Sequence, residues 1–385
     1  MSPLKLLLLL TSAHVAVDTI ALAIQPLWPD LRSGLSLGDA QFQAVYVLWN
    51  LTNSLVQLPI SYWAERRQAR WLIWAGPLLS AACIGAVGLT HSFAALCLLL
   101  VLAGVGIAAF HPEAAAMAAA CAPANRSRAL SVFAIGGYLG QALGPLYAGK
   151  LTAVHGLSAV AWTPAWGWLA FAVVAVALRR APAPAVHAGQ AIPALRELFR
   201  GKKKAMGLLV ALGVLRVAPV LGVPLGLAFA IKEAGGSNAD IGFAQSLFMG
   251  AIGAGSIACA LFVHRHNERR ALWALPLPAA ALLLAAPTAS PSLLLTCVVS
   301  GGLFLGATLP MLVSCGQQLL PRGQRIASGL TMGVTWGLAS PVAAGTIELF
   351  DRLGRPAAAF FVFAGLILAS SLLCALLPRS EMAEA

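Results

Sequence analysis

The sequence predicts an all-α integral membrane protein with twelve transmembrane helices in two pseudo-symmetric six-helix bundles. Three observations predict it. The first is composition: of 385 residues, 59% are hydrophobic and only 10% are charged, with mean hydropathy +0.84. A soluble domain carries about a quarter charged residues, so this chain cannot clothe a water-facing surface. The second is length. A spanning helix needs roughly 20 apolar residues plus a connection, which leaves room for about twelve. No segment alternates like a barrel strand, so helices alone satisfy the backbone in lipid. The third is an internal repeat at an offset of about 200 residues.

The spans fall near residues 5–28, 41–63, 71–90, 93–118, 127–149, 158–178, 205–231, 241–263, 271–288, 291–316, 325–347 and 356–377. The opening MSPLKLLLLL has no small-x-small cleavage site, and its apolar run continues through Ala23, so it is read as a retained first span. The proline-bearing basic stretch Arg179 to Lys204 divides six spans from six. It gives an N-terminal bundle over 1–178, a cytoplasmic linker over 179–204 and a C-terminal bundle over 205–385. GLSLGDAQF before span 2 echoes GGSNADIGF before span 8, and ERRQARWLIW echoes ERRALWAL. VLAGVGIAAFHP in span 4 echoes VSGGLFLGATLP in span 10, and RALSVF echoes RIASGL. Two halves of parallel sense, with a site between them near the midplane, form a transporter architecture.

With the N-terminus inside, cytoplasmic segments hold 19 of the 25 lysines and arginines and the opposite side holds 5. That asymmetry fixes a cytoplasmic location for both termini. The net charge of +12 therefore reports topology, and no basic-aromatic surface segment supports nucleic-acid binding. Seven cysteines lie in apolar runs without a CxxC pair and read as small buried hydrophobes.

Ionisable groups inside spans point to function, because each is costly in lipid. His14 and Asp18 stand four apart on one face of span 1. His111, Pro112 and Glu113 interrupt span 4. Neighbours two apart point about 200° from each other, so only one of His111 and Glu113 faces a cavity squarely. The other meets a neighbouring helix, with Arg128 a candidate partner. Asp18, Glu113, His14 and His111 are the candidate proton carriers, against the plainer reading of a locked His14–Asp18 pair. Arg216, the one basic residue inside a span, either pairs with Asp18 or grips an acidic substrate group. Tyr46, Asn50, Asn53, Gln57 and Gln245 form a polar set that either faces substrate or bonds between helices. Glu348 and Asp351, at the end of span 11, read as solvated.

Small residues recur at intervals of four. Gly136, Gly140, Gly144 and Ala148 line span 5, and Gly329, Gly333, Gly337 and Gly345, with Pro341 in the row, line span 11. Such stripes let helices approach closely, as static packing or as a moving seam. Pro145 bends span 5. Gly140, Gly144, Pro145, Gly333, Gly337, Arg66, Arg67 and Arg128 are the candidate conformational residues, the arginines anchoring the inner face.

GGYLGQALGPLYAG in span 5 resembles the GxxxGPxxGG-type motif of major facilitator superfamily exporters, with Ala148-Gly149 in place of the last glycine pair. ERRQAR resembles that superfamily's basic loop motif, without its leading glycine and aspartate. SAHVAVDTIALAIQPLWPDL, FHPEAAAMA and QQLLPRGQRIASGLTMG together resemble the fosmidomycin-resistance type of major facilitator exporter over nearly the whole chain. The resemblance implies efflux of a small polar or amphiphilic compound in exchange for protons, across a bacterial inner membrane. It implies a monomer among lipids, with no cofactor and no resident metal. A divalent-metal or metal-chelate transporter using the His/Asp/Glu cluster, or uptake of a small organic solute, are the alternatives. No HExxH, GxSxG, P-loop or strand-borne GxGxxG favours an enzyme.

Overall fold

The computed structural model describes residues 1–64, 69–122, 126–181, 195–263, 268–321 and 323–377. Arg66, Arg67 and half of the expected linker, residues 182–194, lie outside them. Twelve principal helices follow in order: α1 Pro3–Leu22, α2 Asp39–Leu55, α3 Leu72–Val87, α4 Phe93–Ala120, α5 Arg126–His155, α6 Thr163–Leu178, α7 Lys203–Glu233, α8 Asn238–Phe262, α9 Pro276–Ala285, α10 Pro291–Gly306, α11 Thr335–Arg352 and α12 Ala359–Leu373. Further α-helical segments extend several of them, such as Trp28–Gly34 after α1, Gln57–Ala64 after α2 and Leu309–Leu319 after α10. Start signals follow sequence chemistry. Ser2 accepts from the Lys5 N–H ahead of Pro3, and Ser92 accepts from the Ala95 N–H to open α4.

Nine of the described helical segments are long and apolar enough to cross a membrane on their own composition. The other three are physical exceptions. The α2 segment carries Asn50, Asn53 and Gln57, α3 is short, and α11 is rich in small and hydroxyl residues. Close packing supports α2 and α11, whose polar and small residues lower their hydropathy, while α3 is apolar and lacks only length.

Two compact units emerge. The first comprises Met1–Ala188 with Ile231–Ser246. In it α1 lies along α5, and α3 along α4. The stripe on α5 makes the first contact: Gly136, Gly140 and Gly144 sit against the backbone carbonyls of Thr11, Val15 and Thr19 on α1. At Gly140 an added Cβ would lie 2.5 Å from the Val15 oxygen and 2.7 Å from the Asp18 Cβ, so backbone meets backbone there. Gly76 of α3 and Gly106 of α4 meet in the same manner, and Ser80 of α3 donates to the Ala103 carbonyl at 2.8 Å.

The second unit comprises Gly189–Ala230 with Leu247–Ala385. Here α9 packs on α10 and α12, and Gly213 of α7 accommodates the Thr335 side chain of α11. Residues Gly329–Val334 wind as a π-helix just before α11, so Gly333 lies in an irregular turn and Gly337 on a regular one, both buried. Glu348 departs from the solvated expectation. It is 1% exposed on the face of α11 that also buries Ala344 and Ile347, with Arg352 Nε 3.4 Å from its carboxylate.

Prolines organise four further polar contacts. A proline has no N–H, so the carbonyl four residues earlier loses its helical donor. In lipid that carbonyl must find another. Gln25, four before Pro29, accepts from Gln245 at 3.2 Å. Leu272, four before Pro276, accepts from Arg216 Nη2 at 2.6 Å. Gly306, four before Pro310, accepts from Ser256 at 2.8 Å, and Gly337, four before Pro341, accepts from Ser340 at 2.8 Å.

Candidate functional site

Three helices of the first unit converge on one carboxylate. α1 supplies His14 and Asp18 one turn apart, α4 supplies His111, and α5 supplies Phe133, Gly137 and Gln141. His111 Nε2 stands 3.1 Å from Asp18 Oδ1, and His14 Nε2 stands 3.6 Å from Asp18 Oδ2. Gln141 donates to Asp18 Oδ2 at 3.1 Å. The rings of His14 and His111 meet edge-on, with centroids 5.1 Å apart, and Phe133 stacks on His14 at 4.2 Å. Phe110 closes a further side.

The backbone fixes the chemistry of both imidazoles. His14 Nδ1 lies 2.9 Å from the Phe133 carbonyl, and His111 Nδ1 lies 2.9 Å from the Ile107 carbonyl. A carbonyl only accepts, so each Nδ1 carries its hydrogen, a tautomer assigned from its partner. A neutral ring then presents a bare lone pair at Nε2. Against a carboxylate 3.1 Å away that lone pair would repel. One proton shared by His111 and Asp18 removes the conflict, and a second fits at His14. The Asp18 side chain is 5% exposed and that of His14 10%, while His111 is 24% exposed. His111 is therefore the most exposed member of the triad, and Asp18 the shielded hub.

The same three ligand atoms lie within 4.8 Å of one another, which is the feature that favours a metal reading. Structural zinc sites take four protein ligands. Among the described residues no further His, Cys, Asp or Glu joins the three.

Glu113 stands apart from the triad. Its carboxyl lies against the Ala69 N–H and the Arg70 charge, and Arg70 in turn donates to the carbonyls of Leu178 and Ala181 at 2.9 and 3.2 Å. This ties the end of α4 to the end of α6. Arg128 is exposed on the first turn of α5.

Four of the candidate substrate residues, Arg216, Gln245, Asn50 and Gln57, donate to backbone carbonyls. Arg216 is 0% exposed and bonds within the second unit to Leu272, to Ser370 Oγ at 3.2 Å and to Cys374 Sγ at 3.2 Å. Among the described residues these partners are a carbonyl, a hydroxyl and a thiol. Gln245 is fully buried on Gln25. Tyr46 is buried against Trp28 and Phe42. Asn50 donates to the Tyr46 carbonyl within α2, and Gln57, just past the end of α2, donates back to the Asn53 carbonyl, both at 2.9 Å. Asn53 is half-buried.

Sequence reading missed Phe133, Gly137 and Gln141. They too are spaced by four, on the row of α5 next to the glycine stripe. Gln141 is a lone amide in an apolar span, and that was the available signal. Gly137 matters by its bareness: a Cβ there would lie 2.6 Å from His14 Cε1, 2.7 Å from Nε2 and 3.2 Å from Asp18 Oδ2.

Residues 7–344 match the Major Facilitator Superfamily. The chain belongs to that superfamily. Its superfamily relatives include the fosmidomycin resistance protein of Escherichia coli (strain K12), 26% identical over 332 residues that cover 85% of this chain and 81% of the relative. The MFS-type transporter YfnC of Bacillus subtilis (strain 168) is 24% identical over 360 residues, 91% of this chain and 87% of that one. Among solved structures, a bacterial homologue of the human lysosomal transporter Spinster aligns with a TM-score of 0.73 at 17% identity, covering 99% of this chain and 96% of that one. The superfamily fold implies twelve helices in two halves. The protein is a multi-pass membrane transporter of the superfamily.

Proposed function

We propose that this transporter exports a small polar or amphiphilic, drug-like or metabolite compound in exchange for protons by alternating access, with His14, Asp18 and His111 as the proton carriers. The observation that carries the reading is the pair of backbone-fixed imidazoles facing one shielded carboxylate, an arrangement that needs at least one proton and has room for two. A group that takes and gives up protons as its access to water changes is what coupling requires. Glu113, bonded to the loop after span 2 and to Arg70, serves as a conformational tie. Arg216 and Gln245 serve as helix braces. The cargo class follows the fosmidomycin resistance relative. The transporter works as a monomer in a bacterial inner membrane with both termini cytoplasmic, as the lysine and arginine asymmetry favours.

The test uses purified protein in vesicles loaded with a pH-reporting dye and holding an imposed pH gradient. Adding fosmidomycin is expected to discharge the gradient faster than in protein-free vesicles. Labelled fosmidomycin that crosses with no dye response would overturn proton exchange. Movement against the expected direction would favour the uptake alternative.

A further inference from the structure

A basic cleft lies at the start of α7. It has a volume of about 460 Å³ and is lined by Arg196, Phe199, Arg200, Gly201, Lys203 and Lys204. The four cationic side chains are exposed. The segment that bears them is fastened at three points. Leu198 is buried in the second unit's core with Leu319, Leu320 and Leu377. Lys202 turns its ammonium away from the cleft and donates to the Leu319 carbonyl at 2.7 Å. Gly201 takes φ +76°, a left-handed turn that lets the short helix Leu195–Leu198 fold back against the start of α7. The four charges are thus held together on a fixed bracket. Among the described residues the adjacent acid, Glu197, is exposed and does not line the cleft.

We propose that this cleft binds the phosphate headgroup of an anionic membrane lipid. Two arginine forks and two ammonium groups suit a phosphodiester, the forks by bidentate bonding and the lysines as point charges. Placement selects a lipid over a dissolved phosphate. Lys203 opens an apolar span of 31 residues, so the cleft sits at the mouth of that span, at headgroup level. Half-buried Phe199 gives it an apolar wall where the glycerol and upper acyl chain would lie. Clusters of cations beside a span attract anionic headgroups.

The test measures lipid retained by the full-length protein in nanodiscs and by native mass spectrometry, with phosphatidylglycerol against phosphatidylcholine. The wild type is expected to retain the anionic lipid about ten-fold more strongly. The variant Arg196→Gln/Arg200→Gln should lose most of that preference, as should Lys203→Gln/Lys204→Gln, so a folding failure in one leaves the other decisive. Lys150→Gln/Arg355→Gln, which removes two exposed charges elsewhere, should keep it. Equal retention in both cleft variants and the wild type would overturn the proposal, as would an equal loss in the distant control. Full displacement of the lipid by inorganic phosphate or glycerol phosphate at matched concentration would assign the cleft to a soluble anion and overturn the lipid assignment.

Discussion

At the scale of single residues, Asp18 is approached from three sides by His111, His14 and Gln141. The chemistry rests less on those side chains than on two carbonyls, of Phe133 and Ile107, that hold the Nδ1 hydrogens. The same logic orients metal-bound histidines, with a proton here in the place of the ion. His14 and Asp18 were legible in the sequence, because ionisable groups four apart in an apolar run share a helix face. His111 was legible from depth along span 4. The triad's floor was not, because an absence is what shapes it: Gly137 leaves the space that His14 fills. Gly137→Ala is therefore expected to push His14 off Asp18 and cost about 1–3 kcal/mol by overpacking. Thermal unfolding of the purified variant and its transport rate check this, with both falling. Gly345→Ala, whose added Cβ meets nothing within 4 Å, should change neither.

At the scale of helices, three polar residues in apolar spans, Arg216, Gln245 and Ser256, have one contact type in common. Each answers a carbonyl freed by a proline on another segment: Pro276, Pro29 and Pro310 respectively. The prolines are plain in the sequence, but which distant side chain reaches which carbonyl depends on packing that no local pattern encodes. The stripe on α5 was legible as close packing, and the structure shows it seated on α1. The account makes a double-mutant prediction. Arg216→Met strands the Leu272 carbonyl, whereas Pro276→Ala restores an N–H to it. The two together should be less destabilising than the sum of each by about 1 kcal/mol, the net worth of the bond. Simple additivity in unfolding midpoints would show that Arg216 does not brace that break.

At the scale of the whole molecule, twelve helices were legible because composition, span length and the internal repeat agree, and the superfamily because stretches of spans 1, 4, 5 and 11 resemble its motifs. Three spans fall short of what a lone crossing helix needs, α2 and α11 in apolar composition and α3 in length. The central claim is that a proton held on the triad drives transport. The most direct measurement compares wild type and Asp18→Asn in vesicles, in two modes: uptake driven by a pH gradient, and exchange of labelled for unlabelled substrate without a gradient. An amide keeps the shape and can still bond to His111, but cannot pass a proton on. Loss of gradient-driven uptake with exchange largely retained is the expected result. Gradient-driven uptake at the wild-type rate in Asp18→Asn would contradict the account.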